Sequence, residues 1–286
     1  MSKSNPECFG KITNTGRCPH CPYMEACRFA SDDKKRIEAQ NARWENAYEY
    51  DERIATPATE LPVDVSPGRS FSHDEMVHGK KSLLNKMPGD YWQKFANLRL
   101  LFGYLFTHPG KKLLFMGSEL GQFDEWKYQQ EMDWMLLDFD AHSSFFNYYK
   151  ELNKFYQKTT SLWRLDHEQA GFQWIDADNT EQSVITFMRK GKRKGDYCII
   201  VCNFSTEVYH NYQIGVPTKG NYYEAFSSDA APFGGSGQLN STIRSTNPFP
   251  RNNQPYSLEI TVPPLGMAIF MKETKTRKRG DHLNGI

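Results

Sequence analysis

The chain has 286 residues, 38% of them apolar, 24% charged, with a formal net charge of +1. That balance suits a soluble globular protein of one to three domains and excludes disorder throughout. Near-neutral charge gives no electrostatic footprint for nucleic acid, and the longest mainly apolar run, Leu98 to Phe106, is broken by Arg99 and falls well short of the ~20 residues that span a bilayer. Neither nucleic acid nor membrane is therefore expected as a partner. Lys3, Asn5, Pro6 and Glu7 stand where a secretory signal would need an apolar core, so a cytoplasmic location is expected.

Residues 1–30 hold four of the six cysteines, Cys8, Cys18, Cys21 and Cys27, as C-x9-C-x2-C-x5-C. In a reducing compartment this spacing points to a soft metal site, zinc or an iron-sulfur cluster, because four thiolates close a tetrahedral site at small loop cost. His20 could replace one thiolate. Four free thiols in an N-terminal extension are the plainer alternative. Residues 31–69 read as a charged helix opening at Asp32, Asp33, Lys34, Lys35 and Arg36, then an extended linker with prolines at 57, 62 and 67.

Residues 70–166 are denser. Met87-Pro-Gly-Asp90 marks a loop, after which Tyr91, Trp92, Phe95, Leu98, Leu101, Phe102, Leu105 and Phe106 recur at helical spacing until His108-Pro109-Gly110. Lys111 to Gly117 reads as a buried strand. A second helix is expected from Ser143 to Thr159, with Phe145, Tyr149, Leu152 and Tyr156 in its apolar stripe. Helix, short turn and apolar strand ending in a glycine loop is the pattern of a βα-barrel.

Beyond Gly171 the period changes from helix to strand. Short strands are expected at 172–176, 183–187, 197–204, 208–214, 222–226, 256–262 and 267–271, so residues 167–272 read as an antiparallel β-sandwich. Cys198 and Cys202 fall on one face of their strand and read as small core residues. Residues 273–286 are a basic tail. No internal repeat is visible. Taken whole, the fold class is α/β plus all-β.

The sharpest chemical string is Ser72-His73-Asp74-Glu75-Met-Val-His78-Gly79-Lys80. A metal is disfavoured there, because three adjacent residues of a strand cannot all face one ion. Asp and His at the mouth of a barrel strand suit hydroxyl-rich ligands, since a carboxylate accepts two sugar hydroxyls while imidazole bridges a third. The chain's 6 Trp, 15 Tyr and 19 Phe supply both core and flat stacking surface.

From Ser72 through Arg99 the sequence resembles the last signature of bacterial glycogen branching enzymes, members of the α-amylase superfamily. The likeness continues through His108 to Gly117, Glu119-Leu-Gly-Gln122, Glu125-Trp126, Asp133-Trp134, Gly171 to Asp178, Gly234-Gly-Ser-Gly237 and Pro263-Pro-Leu265. It covers about residues 70 to 271 in unbroken order. The resemblance implies a (β/α)8 barrel followed by a β-sandwich, and a chemistry that cleaves an α-1,4 glucan and transfers the piece to a 6-hydroxyl, with no cofactor. Enzymes of that family use an Asp nucleophile, a Glu acid/base and a second Asp that stabilises the transition state. The third role maps onto Asp74. His73, Glu119, Glu125 and Trp126 map onto substrate-binding positions.

Upstream of Ser70 there is neither a Gly-x-Arg-x-Asp string for the nucleophile nor an acidic strand end for the acid/base. A full barrel takes about 250 residues, whereas only about one hundred separate Ser70 from the sandwich. Pro67 and Gly68 also stand where an apolar strand should lead into Asp74. The sequence thus reads as the last part of an incomplete barrel plus the sandwich: a branching-enzyme fragment inactive alone, for which a complementary barrel fragment and α-glucan (glycogen or amylose) are the expected partners. A branching enzyme acting alone, and a non-catalytic glucan-binding or interaction protein with a metal-binding N-terminus, are the alternatives.

Overall fold

The computed structural model describes residues 77–126 and 128–273. The four N-terminal cysteines, His73, Asp74, the linker and the basic tail lie outside the described residues.

Among the described residues three α-helices come first. A single turn, α1 (Leu83–Lys86), is capped by Ser82, whose side chain accepts the Asn85 N–H. Helix α2 (Tyr91–Thr107) starts where Met-Pro-Gly-Asp leads the sequence to expect it, and Asp90 and Gln93 form a reciprocal capping box: Asp90 Oδ1 accepts the Gln93 N–H at 2.8 Å, and Gln93 Oε1 accepts the Asp90 N–H at 2.9 Å. Helix α3 (Asp140–Lys158) begins three residues before the expected Ser143. Phe95, Leu98, Phe102, Leu105 and Phe106 of α2 pack on Phe145, Tyr148 and Leu152 of α3, with Leu83 and Leu84 of α1 closing the cluster.

Among the described residues eight strands follow: β1 (Phe172–Asn179), β2 (Val184–Lys190), β3 (Tyr197–Asn203), β4 (Tyr209–Val216), β5 (Asn221–Ser227), β6 (Arg244–Ser245), β7 (Tyr256–Val262) and β8 (Gly266–Lys272). Six form one sheet in the order β1-β2-β3-β8-β5-β6, and β4 pairs with β7 in a two-stranded sheet; every pairing is antiparallel. Each strand that the sequence leads one to expect beyond Gly171 is present, and β6 is an additional short one.

Successive side chains of a strand point to opposite faces, and β3 uses both. Ile199 and Val201 join Val184, Ile214, Leu258, Ile260 and Phe270 in the core between the two sheets. Cys198, Ile200 and Cys202 face the helical side, where they meet Leu100 of α2 and Leu162. Every residue of β3 is therefore buried. Burial pushes the Cys198 thiol up to about 11 and raises Cys202 as well, so both stay protonated, as core residues should.

Two buried arginines tie helices to sandwich. Arg189, at 0% exposure, pairs through Nη2 with Asp166 Oδ1 at 2.5 Å, donates from Nη1 to the Thr107 carbonyl at the end of α2 (2.6 Å), and from Nε to the Gly171 carbonyl ahead of β1 (3.3 Å). Arg99 of α2 donates from Nε to the Ser228 carbonyl at 3.0 Å. Its burial lowers the guanidinium to about 10, partly offset by Tyr148 and Asp229, and leaves it charged at neutral pH.

One expected element is corrected. No strand forms over 111–117 among the described residues; only Leu114 makes a single bridge, and Leu113 and Met116 are 51% and 40% exposed. A parallel strand is stable only when flanked and covered on both faces. Phe95, Phe102 and Phe106, by contrast, are all buried against α3. No helix among the described residues is long and apolar enough to cross a membrane.

Candidate functional site

The loop from Gly117 to Trp126 carries three of the residues implied by the resemblance. Gly117 (φ +84) and Gly121 (φ +64) bracket a 3-10 turn, Ser118–Leu120. Gln122 folds its side chain over Gly117, and it is the left-handed φ of +84, more than the movable Gln122 tip, that reserves the position for glycine. Leu120 is fully buried, and His142 of α3 donates from Nδ1 to its carbonyl at 2.7 Å. Burial pushes His142 below the ordinary imidazole range, so at neutral pH the ring is an uncharged donor, held edge-on by Phe95 at 4.9 Å and Phe123 at 5.2 Å.

This frame fixes Glu119, which is half-buried on the turn. Burial raises the neighbouring Tyr149 phenol, and the Glu119 charge adds to the rise. Glu125 accepts the Gly79 N–H at Oε1 (3.0 Å), a contact spanning 46 residues. Trp126 adopts φ +54 and stacks on Phe115 with centroids 5.6 Å apart and planes 5° from parallel, while Tyr128 meets it edge-on at 5.4 Å. A shallow surface indentation lies beside these residues, lined among others by Leu83, Leu84, Met116, Gln122, Asp124 and Trp126. Gln122 Nε2 reaches Asp133 Oδ2 at 3.5 Å.

The structure thus brings Glu119, Glu125 and Trp126 onto one loop. His73 and Asp74 lie outside the described residues, and so do Cys8, Cys18, Cys21 and Cys27. Among the described residues no group of three His, Cys, Asp or Glu side chains is placed to hold a metal ion. Sequence reasoning missed the anchoring of the loop by His142 and its coupling to the 79–85 segment. Neither leaves a mark in the sequence, because both bonds end on backbone atoms.

Residues 174–273 match the family described as alpha amylase, C-terminal all-beta domain. A 1,4-alpha-glucan branching enzyme GlgB of Halothermothrix orenii is 63% identical over 200 residues, which is 70% of this chain and 32% of that protein. The enzyme of the same name from Bacillus mycoides is 55% identical over 215 residues, or 75% of this chain and 33% of that protein. Among solved structures, an alpha-amylase from Geobacillus thermoleovorans complexed with acarbose aligns with a TM-score of 0.43 at 15% identity, covering 64% of this chain and 34% of that one.

The antiparallel sheets and the family match define the C-terminal region as an α-amylase-type all-β domain. The helices, the loop at 117–126 and that domain lie in a stretch similar to the C-terminal part of 1,4-alpha-glucan branching enzymes. The chain spans about a third of the length of the curated relatives it matches.

Proposed function

We propose that this chain supplies the C-terminal portion of a glucan branching site, contributing the transition-state carboxylate Asp74 and the sugar-contacting His73, Glu119 and Trp126 to an α-amylase-type barrel that residues 70–166 complete only in part. The observation that carries the reading is the 63% identity to a branching enzyme across 200 residues. A carboxylate at the barrel mouth grips sugar hydroxyls more tightly as the ring flattens toward an oxocarbenium ion, which lowers the barrier to cleavage. The substrate is an α-glucan such as glycogen or amylose, and the setting is cytoplasmic.

Retaining chemistry also needs a nucleophile to hold the cleaved glucan and an acid/base to protonate the leaving oxygen. The 286 residues offer no string for either upstream of Ser70. The chain incubated alone with amylose should therefore not raise the content of α-1,6 branches. Iodine staining with debranching analysis measures this, and activity above a buffer control would overturn the reading. Sandwich and loop would still bind glucan in the absence of turnover, and the expected partner is a polypeptide carrying the earlier strands of the barrel. At the N-terminus, we propose that Cys8, Cys18, Cys21 and Cys27 hold one zinc ion or one iron-sulfur cluster, as thiolates at that spacing favour soft metals.

A further inference from the structure

A buried histidine reaches the loop from outside it. His142, in the first turn of α3, is 1% exposed, and its Nδ1 lies 2.7 Å from the Leu120 carbonyl, across 22 residues. A carbonyl oxygen can only accept, so Nδ1 carries the proton. The Leu120 and Gly121 amides donate to the Gly117 and Ser118 carbonyls at 3.1 and 3.2 Å. Those bonds close within the loop, so they shape the turn without placing it. The imidazole bond ties the turn to a helix, and Phe145, Tyr148 and Leu152 hold that helix against α2. Glu119 is the half-buried residue between two buried ones, Ser118 and Leu120, so its backbone goes where the turn goes.

Rings from three segments enclose the imidazole: Tyr91 and Phe95 of α2 at 6.3 and 4.9 Å, Phe123 of the loop at 5.2 Å, and Phe139 ahead of α3 at 6.4 Å. An apolar side chain would fill such a cage with no polar group to desolvate. The histidine instead spends its Nδ1–H on the loop, and a donor in apolar surroundings adds a direction that packing alone lacks. Phe123 repeats the tie three residues nearer Trp126. We propose that His142 is a positioning residue of the loop: its bond to Leu120 holds Glu119 and Trp126 in the arrangement that takes an α-glucan, and the loop with that bond open does not take it. His142 itself touches no sugar. The proposal rests on the reading of Glu119 and Trp126 as sugar-contacting residues.

The test is nuclear magnetic resonance of the full chain titrated with maltoheptaose. The backbone amides of Glu119 and Trp126 report binding at the loop, and hydrogen exchange of the His142 Nδ1–H reports the latch. If only the latched loop binds, the sugar slows that exchange by a factor of 1 + [L]/Kd, about tenfold when free maltoheptaose is about ten times its Kd. Shifts at Glu119 and Trp126 with no slowing of the His142 proton would overturn the proposal alone. Absence of those shifts would overturn the sugar-contacting reading, and the proposal with it. His142→Leu, apolar and without a donor, should weaken binding at the loop about tenfold. His142→Asn, of nearly the same size as leucine and with an amide N–H to offer, should restore most of it; an equal loss in both variants would overturn the proposal. Amides of Leu98 and Phe102 in α2 report global stability. If they lose protection in both variants, the exchange result in the unaltered chain decides.

Discussion

Replacing Asp166 by Ala leaves the Arg189 guanidinium at 0% exposure with two backbone carbonyls, those of Thr107 and Gly171, and no counter-charge from Asp166. Removing one partner of a buried ion pair costs about 3–5 kcal/mol, chiefly because the surviving charge has lost both water and its mate. The Asp166 side chain is 8% exposed, so water relieves the arginine only slightly, and about 3 kcal/mol is the expected loss. For a domain of this size that corresponds to a fall in Tm of about 6–12 °C. Adding Arg189→Met removes the stranded charge and leaves the Thr107 and Gly171 carbonyls short of a donor, at about 1–3 kcal/mol each, so the double variant should lose less than the two single losses summed. Urea and thermal unfolding followed by far-UV circular dichroism give both numbers. A change within about 0.5 kcal/mol for Asp166→Ala, or strict additivity of the two substitutions, would refute the view that this pair holds the end of α2 to the sandwich.

Other expectations follow from the same physics. Burial, reinforced by Arg189 and opposed by Asp166, lowers Lys112 from 10.5 to about 8, so between those two values the unfolded chain binds more protons and stability rises with pH; the stability gap between the parent chain and Lys112→Met should change across pH 8 to 10.5 in that direction, and a gap independent of pH would contradict it. Cys198 and Cys202, buried and held as thiols, should resist alkylation in native protein and react fully in denaturant, read peptide by peptide by mass spectrometry. A Cβ on Gly235 would lie 2.2 Å from the Asp229 backbone, which cannot yield as a side-chain tip does, so Gly235→Ala should destabilise by about 1–3 kcal/mol in the same unfolding assay. Protein prepared without oxygen should carry one equivalent of zinc or one iron-sulfur cluster through its N-terminal cysteines; less than about a tenth of an equivalent of any transition metal would leave them as free thiols.

Local chemistry made much of the fold legible. Asp90 and Gln93 spell the capping box of α2 in the sequence, and strand periodicity located β1 to β5, β7 and β8. What periodicity could not supply was the layering. The run Tyr197 to Asn203 is apolar on both faces, and only the packing shows that Ile199 and Val201 meet one sheet while Cys198, Ile200 and Cys202 meet the helices. Lys111 to Gly117 has the composition of a buried strand, but a strand is a property of its neighbours as much as of its residues. Arg99 reads in sequence as an interruption of an apolar run, whereas in the fold it and Arg189 are fastenings. At the loop, family resemblance picked out Glu119, Glu125 and Trp126, yet resemblance alone does not reveal that Glu125 is already engaged by the Gly79 amide.

The central claim, that this chain brings one essential carboxylate to a glucan-branching barrel, is tested most directly by complementation. The chain would be mixed with the portion of the Halothermothrix orenii enzyme outside the matched 200 residues, and new α-1,6 branches in amylose counted after debranching. The account predicts no branching from either piece alone, branching from the mixture, and its abolition by Asp74→Ala. Branching by this chain alone, or by a mixture in which Asp74→Ala leaves the rate unchanged, would contradict it.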